Sequence, residues 1–234
     1  MKGAIASAEA AGRTSEAPLA VPGSWGADAA GEWHGDLADR CARIGIIVLF
    51  TFMAVQIAAE FLATGRPTGL LLLASESLVV ILTVLRRPSR VVDRSLRARV
   101  LTGFSSFGPL ALRPASVVPL LEEAFTVGIL SMGLAIVIVG KLSLGRSFGL
   151  MPANRGIVST GLYRLVRHPI YLGYLITHFG FVAAYPTLRN MALLVSADVA
   201  LLYRAAYEER TLQQDPAYRA YQQRVRWRVL PGIF

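Results

Sequence analysis

Two groups of ionisable residues stand where apolar segments end, and both are of types that hold a charged small molecule. In the first, Arg164, Arg167 and His168 directly precede Pro169 in "GLYRLVRHPIYLGYLITHFGFVAAY", at the mouth of a long apolar run. Proline suits a first helical position because its missing N–H is an orphan there anyway, and it pushes the residue before it out of helical geometry. Free backbone N–H groups and the positive end of the helix dipole then point at the same spot as two guanidiniums. Such a place favours a carboxylate or a phosphate. The competing reading is that Arg164 and Arg167 snorkel to lipid headgroups. In the second group, Glu208 and Glu209 lie about one turn past the last apolar stretch. Arg204 and Glu208 are four apart, which also fits a helix-surface pair worth a few tenths of a kcal/mol.

A third pair lies inside the apolar segments. The turn between the last two segments centres near Leu188, with His178 ten residues before it and Asp198 ten after. At 1.5 Å per residue both fall about 15 Å from the turn, at similar depth. Ionisable groups in a span are costly and face the bundle interior, paired. Either His178 and Asp198 are partners sharing a polar cavity, or they are unrelated, with His178 neutral and bonded to backbone. Tyr171, Tyr174 and His178 share one helix face, and Glu76, midway along the second span, is placed to join a polar path from the cytoplasm to mid-membrane.

These residues need elements to hold them. The 234 residues are 54% hydrophobic and only 17% charged, whereas a soluble domain carries about 25% charged residues. The composition implies an all-α, polytopic membrane helix bundle. Expected spans are 44–63, 68–85, 101–112, 117–140, 169–185 and 190–206, the third short and interrupted by glycine and proline. With the N-terminus inside, nineteen of the 24 Lys and Arg fall on the inner side, and only Arg66, Arg113 and Arg189 on the outer. Cytoplasmic loops collect basic residues, so about six spans with both termini cytoplasmic is the expected topology. Residues 1–38, rich in Ala, Gly, Ser and Pro and without the order of a signal peptide, are expected to be a disordered tail before a domain at 39–234. After the "DP" start at Asp215, Tyr218, Tyr221 and Val225 mark an amphipathic helix on the cytoplasmic side, either on the inner leaflet or lidding the domain.

The net charge of +9 reads as cytoplasmic loops rather than nucleic-acid binding. Cys41 is the only cysteine, so no intrachain disulfide forms. His34, His168 and His178 are too scattered to ligate a metal, and no serine or cysteine sits in a nucleophile elbow. In "LGRSFGLMPANRG", which follows no strand, Asn154 and Arg155 are placed to line the entrance to the site.

"GLYRLVRHPIYLGY", followed about 35 residues later by "EERTLQQDPAYRAYQQRVRWRVLP", resembles the isoprenylcysteine carboxyl methyltransferase and phospholipid methyltransferase superfamily of integral-membrane enzymes. The shared pattern is Gly-x-Tyr-x-x-x-Arg-His-Pro-x-Tyr-x-Gly, then Glu-Glu-x-x-Leu, Tyr-x-x-Tyr and a terminal Pro, and it covers roughly residues 140–234. The resemblance implies S-adenosylmethionine as cofactor, bound by Tyr163, Arg167, His168, Pro169, Tyr171, Gly173, Glu208 and Glu209, with Arg167, His168 and Glu208 at the catalytic centre. It implies that the cofactor enters from the cytosol and a lipophilic acceptor, a lipid or a prenylated group, from the bilayer. A carboxylate acceptor needs a cation to orient it, from Arg167 or Arg164. An amine or thiol needs a proton removed, by His168 or a glutamate.

Two other readings compete. Membrane sterol and steroid reductases carry a similar Arg-His-Pro-x-Tyr entry and use NADPH, but their pattern has Asn before that tyrosine where this chain has Ile170. The third reading is a non-catalytic membrane protein on the same bundle.

Overall fold

Proline and small polar residues punctuate the apolar runs, and the helices start where those residues stand. The computed structural model describes residues 29–234 apart from 66, 88–90, 93–94 and 151–152. The helices are α1 (Ala29–Thr64), α2 (Pro67–Leu85), α3 (Leu96–Phe107), α4 (Glu123–Leu144), α5 (Pro169–Ala184), α6 (Leu188–Leu212) and α7 (Pro216–Arg224). Two-residue strands β1 (Val91–Val92) and β2 (Ala153–Asn154) pair antiparallel between the loops. The side chains of Ser95, Thr187 and Asp215 accept the amide hydrogens of Ala98, Asn190 and Ala217 and so cap α3, α6 and α7. Of the expected tail, residues 1–28 lie outside the described residues, and α1 already runs from Ala29. Residues Cys41–Phe234 form one compact unit, which holds everything described below; Met1–Arg40 is the other, and its described part is the start of α1.

Among the described residues, three helical segments are long and apolar enough to cross a membrane: Arg40–Ala63, Thr68–Leu85 and Glu123–Ser147. On α1, Ile44, Val48, Phe52 and Val55 recur every three or four residues and are exposed. That stripe has no partner among the described residues, as a lipid-facing surface requires. α5 is apolar but shorter. Two expected spans begin elsewhere. The third, expected at 101–112, becomes α3 from Leu96 to Phe107 and a 3-10 turn over Gly108–Ala111, because Pro109 cannot continue an α-helix. The fourth, expected from 117, starts at Glu123. Pro119 precedes it, Glu122 is extended (φ −57°, ψ 151°), and the Leu120 amide donates instead to the Ala183 carbonyl at 2.8 Å.

α4 packs closely against α5, and glycine makes it possible. A Cβ on Gly173 would lie 2.7 Å from the Gly133 carbonyl oxygen and 2.9 Å from the Val137 nitrogen. Small residues of this kind let backbones touch in a bilayer, where packing rather than water expulsion drives association. The core beside this contact holds Val137, Ile170, Tyr171, Leu201 and Ala205. α7 buries Tyr218, Tyr221 and Val225 against Ile157 and Leu212. It therefore covers the domain by its aromatic face, as in the lid reading.

Candidate active site

The mouth of α5 is built by two pieces of chain zipped together. His168 precedes Pro169 and is held out of the helix (φ −128°, ψ 65°). Its amide donates to the Arg228 carbonyl at 2.8 Å, and the Arg167 amide to that of Trp227 at 2.9 Å. The C-terminal segment thus fixes the backbone that presents Arg167 and His168, while the His168 carbonyl accepts the amides of Tyr171 and Leu172 and starts α5.

The acidic pair comes from α6, and its two members have different tasks. Glu209 is 1% exposed and uses both oxygens. Oε1 lies 3.3 Å from both Arg167 Nε and His168 Nε2, and Oε2 accepts from Arg228 Nε at 2.9 Å and Gln222 Nε2 at 3.3 Å. Burial works to raise its pKa, but the His168 hydrogen bond and the charges of His168, Arg167 and Arg228 together outweigh it and hold the carboxyl below its usual range. Glu209 is a staple that orients His168 and Arg167. Glu208 accepts from the Tyr171 hydroxyl at 2.7 Å and from Arg204 Nε at 3.2 Å, both on Oε1. Its Oε2 lies 3.7 Å from His168 Nδ1. The His168 ring stacks on Tyr171 at 5.1 Å, between the two carboxylates.

Arg204 does more than pair with Glu208 on a helix surface. It is buried, donates to Ser106 Oγ at 3.1 Å and to the Leu150 carbonyl, and lies 5.3 Å over the Tyr171 ring. It ties α6 to α3 and to the loop before β2. At the end of β2, Asn154 donates to Asp215 Oδ2 at 2.8 Å and accepts the Gly156 amide, which fastens the loop to the α7 cap. Tyr221 donates to the Tyr163 carbonyl at 2.8 Å, and burial raises the pKa of both phenols.

These groups open on a cavity of about 980 Å³, at the upper end of the range for small-molecule sites. Tyr163, Arg167, His168, Tyr171 and Glu208 line it, and so do Arg155, Arg204 and Tyr218. The other residues expected at the site sit elsewhere. Glu209 stands behind the lining, Pro169 is buried at the start of α5, Gly173 faces α4, and Arg164 is exposed. Deeper in, the cavity reaches Glu76, Tyr174, Thr177 and His178. His178 Nδ1 is 2.5 Å from Asp198 Oδ1, so the two residues expected at equal depth are partners. Lys141, which ended an apolar run and drew no notice in the sequence, is 0% exposed; it donates to Ser75 O and Oγ at 2.9 and 2.8 Å and lies 3.8 Å from Glu76.

Residues 124–219 match the phospholipid methyltransferase family. The match covers 96 of the 234 residues. It begins with α4, takes in the α4–α5 glycine contact, the mouth of α5 and the acidic pair, and ends in α7, short of Arg228. No curated protein matches the chain.

Proposed function

We propose that the protein is an S-adenosylmethionine-dependent methyltransferase acting on a lipophilic acceptor. The observation that carries this is a match to phospholipid methyltransferases over the helices whose ends converge, with opposite charges, on one cavity. The residues suit the cofactor by charge and shape. Arg167 lines the cavity, while its buried Nε lies 3.3 Å from Glu209, so the guanidinium is held in place with its outer nitrogens suited to a carboxylate. Glu208 Oε2 lies 3.7 Å from His168 Nδ1 and suits an ammonium or a sulfonium. The buried Tyr218 hydroxyl has no hydrogen-bond partner among the described residues, and with Tyr163 and Tyr171 it offers aromatic faces and a polar tip to an adenosine.

When bound, the cofactor supplies a methyl carbon activated by its positive sulfur. The protein's task is alignment and exclusion of water. Arg167 and Glu208 orient, Glu209 and Arg228 hold Arg167 and His168 in place, and α7 closes the cytoplasmic side. For an amine or thiol acceptor His168 or Glu208 takes the proton; for a carboxylate, Arg167 orients it, since Arg164 points away from the cavity. The arginine distribution supports six crossings with both ends cytoplasmic, residues 39–234 as the membrane domain and about 140–234 as its catalytic part.

The test is transfer of label from methyl-labelled S-adenosylmethionine into solvent-extractable lipid by protein in nanodiscs. Base-labile label marks a methyl ester and base-stable label an N-methyl product. Glu208→Gln should reduce either. No extractable label from any amphiphile class would defeat the proposal.

A further inference from the structure

The Pro231–Gly232 pair turns the chain back onto a residue that already bears on the site. The Leu230 carbonyl accepts the Ile233 amide at 3.1 Å, with Pro231 and Gly232 between them and Gly232 at φ +86°. Proline in the second place and a glycine of positive φ in the third fit a type II turn. The turn sends Phe234 over the strand of chain that led into it. The Phe234 main-chain oxygen accepts the successive amides of Arg228, Val229 and Leu230 at 3.0, 2.9 and 2.9 Å, which form a concave backbone nest. The Phe234 side chain packs against the core that holds Val229, and its ring centre lies 4.5 Å from the guanidinium carbon of Arg228.

Arg228 is the outer cation of the Glu209 staple. Its Nε donates to Glu209 Oε2 at 2.9 Å, and Glu209 meets Arg167 and His168 through Oε1, at 3.3 Å from each. The Arg228 side chain is 27% exposed and the Glu209 side chain 2%. A long side chain reaching in from the surface has much rotamer freedom to lose, and a buried carboxylate left without its cation is costly. An aromatic face attracts a guanidinium placed over it, and Phe234 supplies that face. Neither Arg228 nor Phe234 lines the cavity, and both lie outside the matched residues 124–219.

We propose that Phe234 is a positioning residue for the site: its ring holds the Arg228 guanidinium against Glu209, and through Glu209 it fixes Arg167 and His168 at the cavity. The effect on cofactor binding rests on the methyltransferase reading, whereas the link from Phe234 to Glu209 does not.

The experiment compares the full wild-type chain with Phe234→Leu, Phe234→Tyr, Arg228→Gln and the Phe234→Leu, Arg228→Gln double variant. Two quantities are read: S-adenosylmethionine affinity by calorimetry, and the fall in Tm below pH 4.5 that Glu209 produces. The charged and titratable groups around Glu209 are Arg167 and His168 at the mouth of α5, Arg228 in the C-terminal segment and Glu208 beside it on α6. The Tyr218 and Tyr221 phenols of α7 have raised pKa values and stay neutral. Leucine keeps most of the volume and removes the aromatic face, while tyrosine keeps the face. Phe234→Leu should weaken S-adenosylmethionine binding about three- to tenfold, the scale of a cation–π contact. It should also shrink the acid step, because a loosened Arg228 lets the folded Glu209 pKa rise toward its unfolded value. Phe234→Tyr should stay within about twofold of wild type and keep the step. On the Arg228→Gln background Phe234→Leu should add nothing to either quantity. A packing role alone would lower Tm equally at every pH. Wild-type affinity with a full acid step in Phe234→Leu, or losses that add in full to those of Arg228→Gln, would overturn the proposal. No S-adenosylmethionine binding by wild type, with an acid step that still depends on the ring, would sustain the positioning role and refute the methyltransferase reading instead.

Discussion

Replacing Gly173 by alanine separates two roles that the sequence alone allows for it, approach to a ligand and approach to a helix. In the structure its Cβ would meet Gly133 O and Val137 Cγ2 at 2.7 Å and Val137 N at 2.9 Å, where ordinary contact begins near 3.4 Å. Two of the three obstacles are backbone, so no rotamer change relieves them. The helices must part by roughly half an ångström in a close-packed interior. Overpacking of this kind costs about 1–3 kcal/mol, and the upper part of that range applies when backbone must move. Alanine's better helix propensity returns up to about 1 kcal/mol. The net is a loss of about 1–2 kcal/mol, or roughly 5 °C in Tm for a chain this long. Gly128, also on α4, supplies the control: an added Cβ meets nothing within 4 Å, so Gly128→Ala should leave Tm unchanged or raise it. Thermal unfolding in one detergent, read by intrinsic fluorescence, checks both. A Gly173→Ala protein as stable as wild type but selectively weak for S-adenosylmethionine would refute the helix-packing account.

Three further outcomes follow from the same contacts. Tyr171→Phe removes the 2.7 Å bond to Glu208 and should weaken S-adenosylmethionine binding about tenfold or more, since bonds to charged groups are worth about 1.5–3 kcal/mol; calorimetry reads it. Lys141→Met leaves Glu76 without its cation and should destabilise by about 3–5 kcal/mol, while Lys141→Met with Glu76→Gln should recover a large part; denaturation of both variants decides. The Glu209 carboxyl titrates below its unfolded value of 4.5, so its stabilisation is fully present above that value and is lost as pH falls through the lower, folded one. Tm should therefore show an acid step below pH 4.5 that Glu209→Gln removes, and an unchanged step in that variant would contradict the staple role.

What was legible in the sequence was mostly what one-dimensional spacing encodes. The α5–α6 hairpin put His178 and Asp198 at one depth because both are ten residues from a turn, and rise per residue is nearly constant. Pro169 marked the start of α5, and the Arg-His-Pro entry and doubled glutamate marked the two edges of the cavity. The division of labour between Glu208 and Glu209 was not legible, since neighbours on a helix differ by about 100° in direction and only packing decides which is buried. The part played by Arg228 depends on the C-terminal segment pairing with residues 166–168, a long-range contact without a local signature. Lys141 gave no signal because its burial depends on where Ser75 and Glu76 arrive from another helix. The start of α4 was misplaced because hydrophobicity continues through 117–121 while Pro119 and the α5 carbonyl end take the backbone elsewhere.

Binding of S-adenosylmethionine to purified protein in nanodiscs, followed by calorimetry beside Glu208→Gln, Arg167→Ala and an NADPH titration, tests the central claim most directly. The expected result is saturable S-adenosylmethionine binding that each variant weakens at least tenfold, with no NADPH binding. Saturable binding of NADPH instead, or S-adenosylmethionine binding indifferent to both substitutions, would contradict the account.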